Sequence, residues 1–233
     1  MKFPKLLNPF NVAIQNVVMP KSRLYLMGLA TIIGFPTIGI TLIGFIENDP
    51  WDFQFNWFYP LQFYYQILLG LTFGTLAGLF AWWFINRPAF LQIKMKYGIM
   101  INSLNLTLWD VLFLSFCAGV GEEFLFRGVL QTYWGIWITA IVFVAIHGYL
   151  DPRDKKMMAY GILMTIFIGV IGYMAIYFGL ISSMMAHFAI DVVLLYKLSV
   201  DKAFAIKISQ PNHEMRAFNP VETKDEKPEH PID

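Results

Sequence analysis

Gly121-Glu122-Glu123-Phe124-Leu125-Phe126-Arg127 is the stretch on which the reading of this chain turns. Two adjacent carboxylates and an arginine stand inside an otherwise apolar helical segment. That segment begins near Leu108, and its only other charge is Asp110. An ionisable group at bilayer depth costs roughly 2.5–3.5 kcal/mol on insertion scales, so three together imply that they pair or react. Glu123 and Arg127 are four residues apart, share one helical face and can pair. Glu122 points about 100° away around the helix and has no partner in its own helix. A buried ion pair that only locks helices together accounts for Glu123 and Arg127. It leaves Glu122 without a purpose.

The rest of the chain reads as membrane. Of 233 residues, 57% are hydrophobic, 17% aromatic and only 14% charged, and the mean hydropathy is +0.55. A soluble domain carries roughly 25% charge. The expected fold is all-α, a polytopic transmembrane helical bundle. A formal net charge of +1 offers nucleic acid nothing to bind. The single cysteine, Cys117, excludes an intramolecular disulfide and a cysteine-based metal site, and it reads as a small core residue. No cleavable signal peptide is expected, because the first apolar run is too long and no A-x-A-like site follows it.

The apolar runs amount to about six spans plus an N-terminal interfacial helix. Residues 1–20 alternate apolar and polar positions, are broken by Pro4, Pro9 and Pro20, and read as an amphipathic segment lying in the interface. Residues 21–107 hold the N-terminal transmembrane helices and a connector. Spans are expected at 24–46, with Pro36 kinking it, and at 61–85, with an interfacial connector at 90–100. Gly70, Gly74 and Gly78 form a small-residue stripe that lets helices approach closely. The core, 108–198, holds spans at 108–130, 134–149, 157–178 and 181–198, the second of them short. The loop 47–60 is acidic and aromatic. The tail, 199–233, is polar and Pro-rich, reads as disordered, and carries His213 and His230 as solvated residues. Lys2, Lys5, Lys21 and Arg23 precede the first span, and Arg87, Lys94, Lys96, Arg153, Lys155, Lys156, Lys197 and Lys202 come after even-numbered ones. Both termini are therefore expected in the cytoplasm.

Four polar features lie within the apolar spans: Glu122-Glu123 with Arg127, His147 with Phe143 one turn before it, His187, and Asp191 one turn after His187. A turn near Tyr133-Trp134-Gly135 places Glu122 and His147 about 18–19 Å from it on either arm. A second turn near Gly179 places His187 about 12 Å and Asp191 about 18 Å from that end. The polar groups are thus expected to converge at one depth. Ser182 and Ser183, close to the turn, read as helix-start and packing residues. Amide hydrolysis needs an activated water, a base for its proton and donors for the oxyanion. A desolvated glutamate suits the base, and imidazoles suit water orientation and oxyanion stabilisation. Alternatively, Glu122, His147, His187 and Asp191 are acceptable zinc ligands around an open position. The H-E-x-x-H signature is absent.

Glu122-Glu123-x-x-x-Arg127, Phe143-x-x-x-His147 and His187-x-x-x-Asp191 resemble the three motifs of the CAAX prenyl protease and bacteriocin-processing (Abi) family, which includes the type II CAAX endopeptidases. Order, spacing and placement in spans all match over about 108–198. The resemblance implies an intramembrane endopeptidase that acts on a membrane-associated peptide or protein, such as a prenylated CAAX protein or a leader peptide; the compact six-span form suggests a prokaryotic plasma membrane. Carried over by motif, Glu122 activates water, Glu123, Arg127 and Phe143 support the site, His147 holds the water, and His187 acts with Asp191 on the oxyanion side. Members of the family are named metalloproteases, and a glutamate mechanism without metal has also been argued, so the cofactor is zinc or none. This chain departs from the family's usual Asn at Asp191, and an ionised Asp cannot donate to an oxyanion. The family also includes non-proteolytic members. The competing expectation is therefore a non-catalytic membrane scaffold or bacteriocin-immunity protein. A proton or ion carrier fits less well, because an arginine beside one of two adjacent glutamates does not make a relay across the bilayer.

Overall fold

A computed structural model describes residues 19–47 and 61–201. The expected interfacial segment, the acidic aromatic loop and the polar tail lie almost wholly outside the described residues. Every regular element among the described residues is helical. They are α1 (Lys21–Ile46), α2 (Phe63–Ile85), α3 (Leu91–Ser103), α4 (Leu108–Leu125), a π-turn (Phe126–Leu130), α5 (Gln131–Ile146), α6 (Lys155–Tyr177) and α7 (Leu180–Val200). The chain is a polytopic helical bundle.

Local chemistry sets the helix ends. Arg87-Pro88 closes α2, and Pro88 opens a 3₁₀ turn into α3, where its missing N–H costs nothing. Thr107 starts α4 with a capping box: its side chain accepts the Asp110 N–H, and the Asp110 carboxylate accepts the Thr107 N–H at 2.8 Å. Asp154 caps α6 by accepting the N–H groups of Lys156 and Met157. Gly179 turns α6 into α7 with a φ of +108°, a conformation that glycine adopts without strain.

Among the described residues, five helical stretches are long and apolar enough to cross a membrane. The longest, Leu108–Ile146, has 39 residues. Straight, it would run about 58 Å, nearly twice the hydrocarbon thickness of a bilayer. It is not straight, because Gly135 breaks it with φ 75° and ψ 171°. A straight helix would hold Glu122 and His147 about 37 Å apart, whereas their side chains approach to 3.5 Å. The stretch is therefore the expected hairpin, with its turn at the expected glycine. The return arm, 136–146, is only about 16 Å long, half of a span. The fourth span, expected to be short at 134–149, is a half-length arm ending at His147.

Small residues place the helices. α2 lies along α7 in the most extensive helix pairing. A Cβ on Gly70 would sit 2.5 Å from Ser182 O, one on Gly74 2.1 Å from Ala186 O, and one on Gly78 2.9 Å from Val193 Cβ. The glycine stripe is therefore a packing surface, as its spacing implies. α1 runs parallel to α4: Gly121 abuts Thr31 O, and Lys21 pairs with Asp110 at 2.6 Å. Asp110 also accepts a hydrogen bond from Tyr25. Cys117 is buried in the packing, as expected. Ser182 and Ser183 spend their hydroxyls on helix carbonyls, Ser182 on Gly179 O and Ser183 on Leu180 O. α6 and α7 are the most enclosed spans, and α1 the least.

Candidate active site

The polar residues meet where α4, the end of α5 and α7 come together. α4 delivers Glu122 and Glu123 on different faces, and each face has its own set of contacts. Glu123 is wholly buried and Arg127 nearly so, with side chains 0% and 1% exposed. Arg127 Nη1 lies 3.0 Å from Glu123 Oε1, the pairing expected from their spacing. Arg127 Nη2 donates to Ile168 O of α6 at 3.3 Å, and the guanidinium lies 4.8 Å from the Phe143 ring centre. The arginine is therefore held by a carboxylate, a helix carbonyl and an aromatic face.

Glu123 has a second duty that its sequence position does not reveal. His187 Nδ1 lies 2.9 Å from the same oxygen, Glu123 Oε1. That contact orients the His187 ring and turns its Nε2 toward Glu122, 4.0 Å away, and toward Asp191 Oδ2, 3.5 Å away. His147 is fixed in the same manner from the other side. Its Nδ1 sits 2.7 Å from Phe143 O, which can only accept, so that nitrogen carries the proton. Its Nε2 then faces Glu122 Oε2 at 3.5 Å. Phe143 packs against both imidazoles, 4.5 Å from the His147 ring and 5.5 Å from the His187 ring.

Glu122, left without a partner in its own helix, thus finds its neighbours on two others. Its Oε2 is buried and makes no hydrogen bond, while two imidazole nitrogens converge on it at 3.5 and 4.0 Å. A water beside this oxygen could hydrogen-bond to both imidazole nitrogens. The structure thus brings together all seven residues singled out in the sequence: Glu122, Glu123, Arg127, Phe143, His147, His187 and Asp191. Among the described residues no group of three or more His, Cys, Asp or Glu side chains is arranged to hold a metal ion.

Other buried polar residues escaped sequence reasoning. Gln131 donates to Gly172 O at 3.0 Å, one turn along from the Arg127 contact with Ile168 O. Thr139 and Ser115 are fully buried. Tyr149 lies beside the His147 ring. Gln131 and Tyr149 could have been suspected as polar groups at the margins of apolar runs, but no spacing tied them to the carboxylates.

No solved structure matches the chain. Over 37 residues it is 46% identical to "Uncharacterized protein YpbD" of Bacillus subtilis (strain 168). That stretch is 16% of this chain and 20% of the other, so the match spans about a fifth of that relative's length. Residues 104–193 match the family described as Type II CAAX prenyl endopeptidase Rce1-like. Every side chain of the cluster from Glu122 to Asp191 falls inside that match.

Proposed function

We propose that this chain is an intramembrane endopeptidase that hydrolyses a peptide bond in a membrane-associated substrate, and that Glu122 is its general base. The carrying observation is the buried, unbonded Glu122 Oε2 with His147 Nε2 and His187 Nε2 converging on it. A water bridging these atoms gives its proton to Glu122 as its oxygen attacks the scissile carbonyl carbon. His147, with its own proton committed to Phe143 O, accepts a hydrogen bond at Nε2 and orients that water. The carbonyl π bond opens to an oxyanion on the His187 side. His187 Nε2 stands 3.5 Å from Asp191 Oδ2, and a proton on either atom is the donor the oxyanion needs. This gives Asp191 a use that an ionised carboxylate alone lacks. Collapse of the intermediate breaks the C–N bond, and the leaving amine takes the proton from Glu122. Glu123, Arg127 and Phe143 hold His187 and His147 in place. No step passes through a metal.

The substrate on this reading is a prenylated CAAX protein or a leader peptide, presented from the bilayer of a plasma membrane with both termini of the enzyme cytoplasmic. The matching family supports the reaction class. The test compares membranes holding equal amounts of wild type and Glu122→Ala, with new peptide termini read by mass spectrometry. Termini found only with wild type support the reading and name the substrate. Identical termini from both refute it and favour a non-catalytic scaffold or immunity protein.

A further inference from the structure

His147 needs more support than its own helix supplies. It caps α5 at the end of the short return arm, and its side chain remains 34% exposed. The bond from Nδ1 to Phe143 O fixes one atom of the ring and leaves the ring free to swing about it. The next two residues of the chain remove that freedom. Gly148 adopts φ +77°, where glycine is at ease. Its N–H donates to Ala145 O at 2.9 Å, and the Tyr149 N–H reaches back to Val144 O at 3.3 Å. This left-handed closure returns the chain over the helix end.

The returning residue is Tyr149, whose ring lies 6.3 Å from that of His147 with the planes only 11° apart. Two other helices pin it. Tyr160 of α6 meets it edge-on at 5.5 Å, and Tyr97 of α3 lies at 5.7 Å. Its backbone is docked as well, since a Cβ on Gly161 would sit 2.3 Å from Tyr149 O. Four separate features thus meet at one residue: a left-handed turn, a glycine contact, an aromatic cluster and a near-parallel imidazole.

We propose that Tyr149 is a positioning residue for His147. Its ring, anchored by Tyr97 and Tyr160, fixes the imidazole plane so that Nε2 faces Glu122. The flat ring acts and the hydroxyl does not. Its effect on turnover rests on the proteolytic reading of the site, while its effect on the His147 ring does not.

The experiment uses the full chain in nanodiscs with ¹³C-labelled histidine. Only four histidines are present, and the His147 signal is assigned by its loss in His147→Gln. Tyr149→Phe should leave that signal where wild type has it. Tyr149→Leu, which keeps apolar bulk without a flat ring, should displace and broaden it, and so should Gly161→Ala, which pushes on the Tyr149 backbone. Against the peptide identified from wild-type membranes, Tyr149→Leu should lower kcat roughly 10- to 100-fold with KM little changed, and Tyr149→Phe should restore it. An unmoved His147 signal in Tyr149→Leu overturns the proposal. So does a Tyr149→Phe variant as impaired as Tyr149→Leu. If Glu122→Ala cleaves like wild type, the proteolytic reading falls, and the histidine spectra still decide what Tyr149 does.

Discussion

Gly74→Ala tests whether the site depends on the packing of α2 against α7. The added Cβ would meet Ala186 O at 2.1 Å, its carbonyl carbon at 2.8 Å and Ala189 Cβ at 2.8 Å. Real Cβ atoms essentially never approach closer than 3.0 Å, so the new atom is about 0.9 Å too near to a backbone oxygen that cannot rotate away. α7 must retreat by about that distance. Ala186 is the residue before His187, so His187 and Asp191 move with it. His187 Nε2 already stands 4.0 Å from Glu122 Oε2, and a further retreat breaks any bridge between them. A misplacement of about 1 Å costs on the order of 100-fold in turnover, and overpacking of this kind costs about 1–3 kcal/mol in stability. The assay pairs cleavage of the substrate identified from wild-type membranes with thermal unfolding in detergent. Gly34→Ala is the control, because a Cβ there meets nothing within 4 Å. If Gly74→Ala turns over and melts like Gly34→Ala, the claim that close α2–α7 packing sets the His187 position is refuted.

Glu122→Gln keeps the shape and loses the base, so cleavage should fall about 10²- to 10⁴-fold with the melting temperature unchanged; residual turnover near wild type would move the base elsewhere. Arg127→Met strands the buried Glu123 carboxylate and should cost roughly 3–5 kcal/mol by detergent unfolding, while the double variant with Glu123→Gln should regain much of it. Asp110→Ala removes the carboxylate half of the α4 capping box together with the Lys21 and Tyr25 contacts, and should cost on the order of 1–2 kcal/mol in the same assay. Outside the spans, hydrogen bonds from Arg153 hold the Asp151 carboxyl below the usual carboxylate range. The stability this pair contributes is present at neutral pH and is lost as pH falls through that lowered value. Asp151→Asn should therefore lower the neutral plateau of a melting-temperature profile slightly and flatten its acid limb.

Membrane architecture was legible because lipid imposes long apolar runs, and helix ends were legible wherever Pro, Gly or a capping residue stood. The hairpin at Gly135 and the convergence of Glu122 with His147 came from counting residues from a turn, which works because helical rise is constant. The shortness of the return arm was hinted at by its length alone. Side-chain partners across helices were not legible, because no rule of spacing acts between elements. The sequence pairs Glu123 with Arg127, but only the packed bundle shows that one Glu123 oxygen serves both Arg127 and His187. The parallel run of α1 along α4 was hidden for the same reason, as was the seat of Gln131 against α6. Tyr149 stands two residues past a motif histidine, and nothing in its sequence position marks its three ring contacts.

The π-turn at Phe126–Leu130 makes chain length itself a determinant of this site. A π-turn bonds each residue to the fifth one along, so it holds one residue more than an α-turn occupying the same place. The extra residue is absorbed within the turn, so Gln131 keeps its seat on Gly172 O and the arm carrying Phe143 and His147 keeps its register with Glu122. Removing one residue from 128–130 would let the segment relax to an α-turn in the same place. Adding one more would exceed what the turn absorbs, and everything beyond it would rotate by about 100° and advance about 1.5 Å. Descendants of this sequence can therefore lose a residue in the turn far more readily than they can gain one.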